Sequence, residues 1–230
     1  MSDFLYNESD NLSSLVTIRP DLLLTLSHFG IPLGFGDKSI ARVCSEHGVD
    51  PQFFLLICEV YSNDNYLPSQ ATLSSTPMTG LLPYLLRSHD YYLNRRLPHI
   101  GHHLDKIAEM LPARAGKVIK QFFNAYVEEV REHFAHEENT VYPHISHLIN
   151  HDEDNFAIKE YLSSHGNLED KLSDLVLIIF KYLPSSTSDD DAIDMIFDIL
   201  QLARDLRKHS LIEDKILGPY VKQLEKTARK

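Results

Sequence analysis

HFAHEENTVYP at residues 133–143 and HSLIEDKILGP at residues 209–219 carry one pattern twice: a His, a Glu four positions on, and a Pro six positions after that. The numbers of His133 and His209, of Glu137 and Glu213, and of Pro143 and Pro219 each differ by 76, and His89 and His165 differ by the same 76. With 13 histidines in the chain, one pair at a given interval is unsurprising. Two His pairs, a Glu pair and a Pro pair in a single register point instead to an internal duplication, which outranks other readings of a sequence. Each copy contributes two His and one Glu: His89, His133 and Glu137, then His165, His209 and Glu213.

Outward from these residues the apolar spacing is three and four over long stretches, roughly 80–110, 114–149, 154–183 and 190–227. The breaks carry helix stops and starts: Pro112 and Gly116, then Asp152 and Asp154, then Pro184 with Ser188 and Asp189 to Asp191. Long amphipathic helices on short connections predict an all-α fold, an antiparallel four-helix bundle with an internal pseudo-two-fold repeat. Ahead of it, residues 1–70 hold short apolar stretches broken by Gly30, Pro32, Gly34, Gly36 and Gly48, which predict a small helical N-terminal domain. The stretch ATLSSTPMTG, residues 71–80, is the expected linker, giving domains 1–75 and 76–230.

Composition bounds the context. The chain has 230 residues, 43% of them hydrophobic, enough for a sizeable core. A formal net charge of −11 and the lack of a Lys/Arg-rich stretch argue against nucleic acid or an anionic membrane as the main partner. Without a signal-like N-terminus or an apolar run of spanning length, a cytoplasmic protein is expected. Cys44 and Cys58 are the two cysteines, too few for a disulfide framework.

The apolar seams bracket the repeated residues. Leu82, Leu85, Leu86, Leu93, Ile100, Leu104 and Ile107 flank His89; Ile119, Phe122, Phe123, Tyr126 and Val130 lead to His133 and Glu137. Tyr161, Leu162, Leu168, Leu172, Leu175, Val176 and Ile179 surround His165; Ile193, Ile196, Leu200, Ala203 and Leu206 lead to His209 and Glu213. All six polar residues are expected to face inward. At about 1.5 Å per residue, His89 and His133 lie about 33 and 30 Å from the turn joining their helices, and His165 and His209 roughly 27 and 28 Å from theirs. The six therefore fall in one layer. Four imidazoles and two carboxylates buried together need a compensating charge. A metal supplies it, and this donor set without thiolate suits iron, manganese or zinc, with six ligands suiting two metals better than one. His precedes Glu by four here, whereas ferritin-like di-metal bundles place Glu three before His.

At these positions, in HFAHEENTVYP and in RSHD, SSHG and KHSLIEDKILGP, the chain resembles the hemerythrin-like HHE domain family. It is most similar to the two-domain iron-sulfur cluster repair di-iron proteins, the regulators of cell morphogenesis and NO signalling. The resemblance implies two non-haem iron ions with an oxo or hydroxo bridge, His89, His133, His165 and His209 as terminal ligands, and Glu137 and Glu213 as bridges. It further implies O2 or NO as small ligands and damaged iron-sulfur proteins as partners; a homodimer is compatible with it. One departure stands out. That family's N-terminal domain carries a Cys-Cys pair, where this chain has Leu33 and Gly34, so its N-terminal domain lacks the pair.

Other polar residues have plainer readings. Cys44 and Cys58 read as small core residues. His136, Glu138, His144, His147 and His151 read as a solvated face, and His99, His102 and His103 as a surface patch. Glu169 reads equally as an outer partner of the centre or an exposed charge. Tyr84, Tyr126 and Tyr161 read as core aromatics. Three uses of the centre stay open: stress protection and iron-sulfur repair, the first expectation; O2 or NO binding, sensing or storage without repair; and catalytic reduction of NO or peroxide.

Overall fold

The structure, a computed structural model, describes residues 5–149, 168–183 and 189–228. Among them every regular element is helical, with one isolated bridge between Asn11 and Ser39. Five short helices come first: α1 (Leu12–Ile18), α2 (Leu22–Phe29), α3 (Ile40–Glu46), α4 (Pro51–Ser62) and α5 (Gln70–Ser75). The side chains of Asn11, Ser39, Asp50 and Ser69 accept from the backbone N–H groups of Ser14, Arg42, Phe53 and Thr72, capping four of them. Gly30 closes α2 at φ 71°, a left-handed conformation that strains any side chain. The expected linker carries most of α5 and buries Leu73, Thr76 and Met78.

Where they fall within the described residues the long stretches are helical as expected, and there π turns interrupt three of them. The first is α6 (Leu81–Tyr91), a π turn (Tyr92–Arg96) and α7 (Leu97–Met110). The second is α8 (Ala113–His136), a π turn (Glu137–Val141) and α9 (Tyr142–Ile149). The third is described as α10 (Leu168–Tyr182), and the fourth is α11 (Asp189–Ile212), a π turn (Glu213–Leu217) and α12 (Gly218–Ala228). Among the described residues every π turn is followed, two residues past its end, by a proline: Pro98, Pro143 and Pro219. Proline inside a helix has no N–H for the carbonyl four residues back, and its ring collides with that carbonyl. Opening one turn to π spacing moves the carbonyl aside and lets the helix continue.

The described residues gather into two compact units. One takes residues up to Ser88, from Val141 to Ile149 and from Lys208 onward; the other takes His89–Thr140, α10 and α11 up to Arg207. The first unit's core runs from Leu12 and Leu15 through Phe53, Leu56 and Leu85 to Val141, Ile145, Ile216 and Val221. The N-terminal helices thus bury their apolar faces in the same core as α9 and α12. Lys208 pairs with Asp64 and lies 5.7 Å over the Tyr61 ring, while Lys215 donates to the Tyr66 carbonyl at 2.9 Å. The second unit's core contains Tyr92, Ile100, Leu104, Ile119, Phe123, Tyr126, Phe134, Leu172, Ile179, Met195 and Leu206.

One expected seam is displaced. On α11 the buried residues are Ala192, Met195, Ile199, Leu202 and Leu206, whereas Ile193 and Leu200 are 47% and 43% exposed. The expected set, Ile193, Ile196, Leu200 and Ala203, lies one position on and obeys the same three-four spacing. A helix with two adjacent apolar stripes offers both registers, and packing against its neighbours selects one. The registers merge at Leu206, so His209 is placed correctly from either. Leu86, also expected inside, is 42% exposed.

The α7–α8 hairpin is held close by Gly116. A Cβ there would lie 2.3 Å from the carbonyl oxygen of Ala108, a backbone atom that cannot step aside. Gly116→Ala is expected to destabilise by about 3 kcal/mol, the upper end of overpacking costs, despite a gain of about 1 kcal/mol in helix propensity. At Gly101 a Cβ would meet only the Phe123 ring edge, at 3.2 Å. Gly101→Ala should therefore stay close to wild type in urea unfolding, and equal midpoints for the two variants would refute the close-approach argument.

Candidate metal centre

His133 and Glu137 stand one turn apart where α8 passes into its π turn, and His209 and Glu213 repeat that arrangement at the end of α11. His89 lies near the end of α6. His89 and His209 are 0% and 4% exposed, and Glu137 and Glu213 are 0%. Glu137 faces two imidazoles: its Oε2 is 3.1 Å from His89 Nε2 and its Oε1 is 3.0 Å from His133 Nε2. His133 is partly open, with 21% of its side chain exposed. In the second copy, His209 Nε2 is 3.4 Å from Glu213 Oε1, and the Tyr142 hydroxyl donates to the same oxygen at 3.4 Å.

The outer hydrogen bonds fix which ring nitrogen points inward. His89 Nδ1 lies 2.9 Å from Glu138 Oε1, and a carboxylate only accepts, so Nδ1 carries a proton, and in the neutral ring Nε2 presents its lone pair. Ser88 Oγ donates its one hydrogen to the Leu85 carbonyl at 2.6 Å, so towards His209 Nδ1, 2.9 Å away, it can only accept. His209 is then also protonated on Nδ1, with Nε2 facing Glu213. In both copies a nitrogen lone pair meets a carboxylate oxygen. Two such acceptors at contact distance need a proton or a metal cation between them. Phe134 holds the His89 ring flat, stacked at 3.8 Å between centroids and 9° between planes.

His89, Glu137, His209 and Glu213 form one group, offering four ligand atoms that all lie within 4.8 Å of one another. This buried donor set fits a metal-binding site: imidazole and carboxylate, no thiolate, with both of its imidazoles held by the outer partners typical of metal-bound His. Of the remaining two expected ligands, His133 touches Glu137 as described, and His165 lies outside the described residues.

Several participants escaped the sequence reading. Glu138, expected on a solvated face, is the carboxylate that orients His89. Ser88 orients His209, and Tyr142 reaches Glu213. A signal existed for the first two: Ser88 and Ser164, and Glu138 and Asp214, are acidic or hydroxyl pairs in the same 76-residue register. His144 was expected in solvent but is 2% exposed, while His136 and His147 are exposed as expected. His151, Tyr161 and the Glu169 side chain lie outside the described residues; Tyr84 and Tyr126 are core residues at 2% exposure. Cys44 and Cys58 are buried in the first unit's core, and burial pushes the Cys44 thiol up to about 12, which removes it as a nucleophile.

Ser88→Ala should weaken metal binding by about 10–100-fold, the usual cost of losing an outer partner of a ligand. The fold should persist, because the hydroxyl is small and its loss leaves the His209 ring in place. Competition with a chromogenic chelator measures this; unchanged affinity would remove Ser88 from the site.

Among the described residues no helix is long and apolar enough to cross a membrane. A comparison with curated proteins finds no match. Residues 84–225 match the family described as Hemerythrin HHE cation binding domain, a span that contains the whole 76-residue repeat and more than half of the chain. The chain belongs to the hemerythrin HHE cation-binding domain family.

Proposed function

We propose that the chain is a non-haem di-iron protein of the oxidative and nitrosative stress response, protecting or repairing iron-sulfur clusters by iron donation or by NO or O2 chemistry. The observation that carries this reading is the buried group of His89, Glu137, His209 and Glu213, whose imidazoles both turn Nε2 inward. His133 and, by the repeat, His165 complete the proposed set of six ligands. Bound iron would supply coordination positions for a diatomic ligand and a reversible change of redox state. The chain's own residues set the ligand orientation through Glu138, Ser88 and Phe134 and exclude bulk water by burial. We read residues 76–230 as the metal-binding domain and residues 1–75 as a small helical N-terminal domain that lacks the Cys-Cys pair.

A second reading is favoured by one observation. Leu33 and Gly34 occupy the place of the family's Cys-Cys pair, with Leu33 71% exposed and Gly34 at φ 98° in a loop. No thiol pair is offered there for iron transfer or partner docking, which suits a module that binds, senses or stores O2 or NO without repair. Incubating damaged iron-sulfur enzymes with the metal-loaded protein separates the two. Recovery of their activity, lost in Glu137→Ala, supports repair; no recovery by a protein that still binds NO reversibly overturns repair and leaves the binding module.

A further inference from the structure

We propose a second metal site on the surface of the second unit, formed by His99, His103 and Asp198, that takes a divalent ion of the zinc class. His99 and His103 stand one turn apart on α7, with ring centroids 4.5 Å apart, so both imidazoles leave the helix on one side. Asp198 on α11 comes to meet them, its Oδ2 lying 3.0 Å from His99 Nε2. One ligand atom from each of the three lies within 4.8 Å of the others. Sequence alone grouped His99, His102 and His103 by proximity; the structure exchanges His102 for a carboxylate 95 positions beyond His103.

The carboxylate is prepared for ligation. Arg96 Nη2 binds Asp198 Oδ1 at 2.8 Å and also reaches the Gln201 side chain, which fixes the carboxylate plane and leaves Oδ2 turned towards the histidines. Charged outer partners of this kind orient metal ligands. Two imidazoles and one carboxylate without thiolate favour zinc or its neighbours over magnesium or calcium, and three protein ligands leave one tetrahedral position for water. The His99 side chain is 48% exposed, so the ion exchanges freely with solution. Occupancy would clamp α7 to α11, where His99 and Asp198 otherwise make a single surface contact that contributes little. None of the three belongs to the buried group, so this site stands or falls separately from the proposed function.

The test is a zinc titration of the full chain with its buried centre already loaded, by calorimetry and by cobalt absorption. Wild type should take up one further equivalent, and cobalt should show the intense visible bands of a tetrahedral site. His103→Ala keeps the His99–Asp198 contact and should lose that equivalent, binding about 10-fold or more weakly, since loss of a direct ligand exceeds the smallest penalty for loss of an outer one. His102→Ala, whose ring lies beside His103 without facing Asp198, should bind as wild type does. Absence of a further equivalent in wild type overturns the site. Equal losses in His102→Ala and His103→Ala would mean adventitious capture by surface histidines and overturn it as well.

Discussion

Glu213→Ala is expected to abolish the metal-dependent part of the protein's stability while changing the metal-free protein far less. In the proposed metal centre, Glu213 would contribute a buried carboxylate ligand atom beside His209 Nε2. Losing a direct ligand weakens binding by more than the about 10–100-fold that loss of an outer partner costs. A metal held at about 1,000 times its dissociation constant stabilises the folded state by about 4.1 kcal/mol, and most of this disappears once affinity falls below the free metal concentration. In the metal-free protein the balance differs. A carboxylate with 0% exposure carries a desolvation penalty of several kcal/mol, which its removal relieves, offsetting the cavity left by the shorter side chain. Urea unfolding of wild type and variant, each with metal and after chelation, checks this. A variant that loses equal stability in both states would show Glu213 to be an ordinary core residue. Metal content measured on the same samples should fall in the variant, and His147→Ala, on an exposed position, should leave it unchanged.

The 76-residue interval made the centre legible because the repeat carries local backbone as well as the proposed ligands. Glu137 and Glu213 each open a π turn, and each is followed six residues later by a proline. The prolines were visible in the sequence as part of the repeat, yet the π turns were not, because the spacing of apolar residues averages over a single widened turn. Pro98 shows that the device is not confined to the ligand positions: it opens a π turn over Tyr92–Arg96, three residues beyond His89. In all three cases a widened turn lies close to a proposed ligand, where π geometry frequently occurs at functional sites.

What the sequence concealed has a common cause, namely that it depends on the azimuth of a side chain to within one residue. Glu138 follows Glu137 directly, so an alternation of buried and exposed positions assigns it to solvent; its side chain is 40% exposed, and still it reaches back to His89 Nδ1. The α11 seam slipped by one position for the same reason, since Ile193, Phe197 and Leu200 form a second apolar stripe that remains exposed beside the buried one. His144 is the converse, a polar residue one position before the core residue Ile145 and buried with it. At the N-terminal end, the Ser and Thr density of residues 71–80 suggested a loose connection. Hydroxyls there and just ahead of it are used locally, Ser69 capping α5 and Thr76 donating to the Thr72 carbonyl at 2.8 Å, while Leu73 and Met78 anchor the segment in the core.

The second large effect is expected at Phe134, where packing and site chemistry meet in one ring. Phe134 is 1% exposed, stacks on His89 and lies 5.9 Å from the Tyr92 ring, so its truncation removes a core aromatic and the surface against which a proposed ligand is held. Phe134→Ala should lower stability by about 3–5 kcal/mol, which for a chain of this size corresponds to a fall in Tm of roughly 6–20 °C. Phe134→Leu separates the two roles. It restores most of the volume and should cost less than about 1.5 kcal/mol, but it offers no flat face to the imidazole. His89 would then lose its stacking surface and depend more on the Glu138 hydrogen bond, a bond made by a side chain 40% exposed to solvent. Metal affinity in Phe134→Leu should therefore fall about 10-fold even though the fold is nearly as stable as wild type. If instead affinity is unchanged while Phe134→Ala loses the full stability, Phe134 is a core residue only, and the carboxylate of Glu138 suffices to aim Nε2 at the metal.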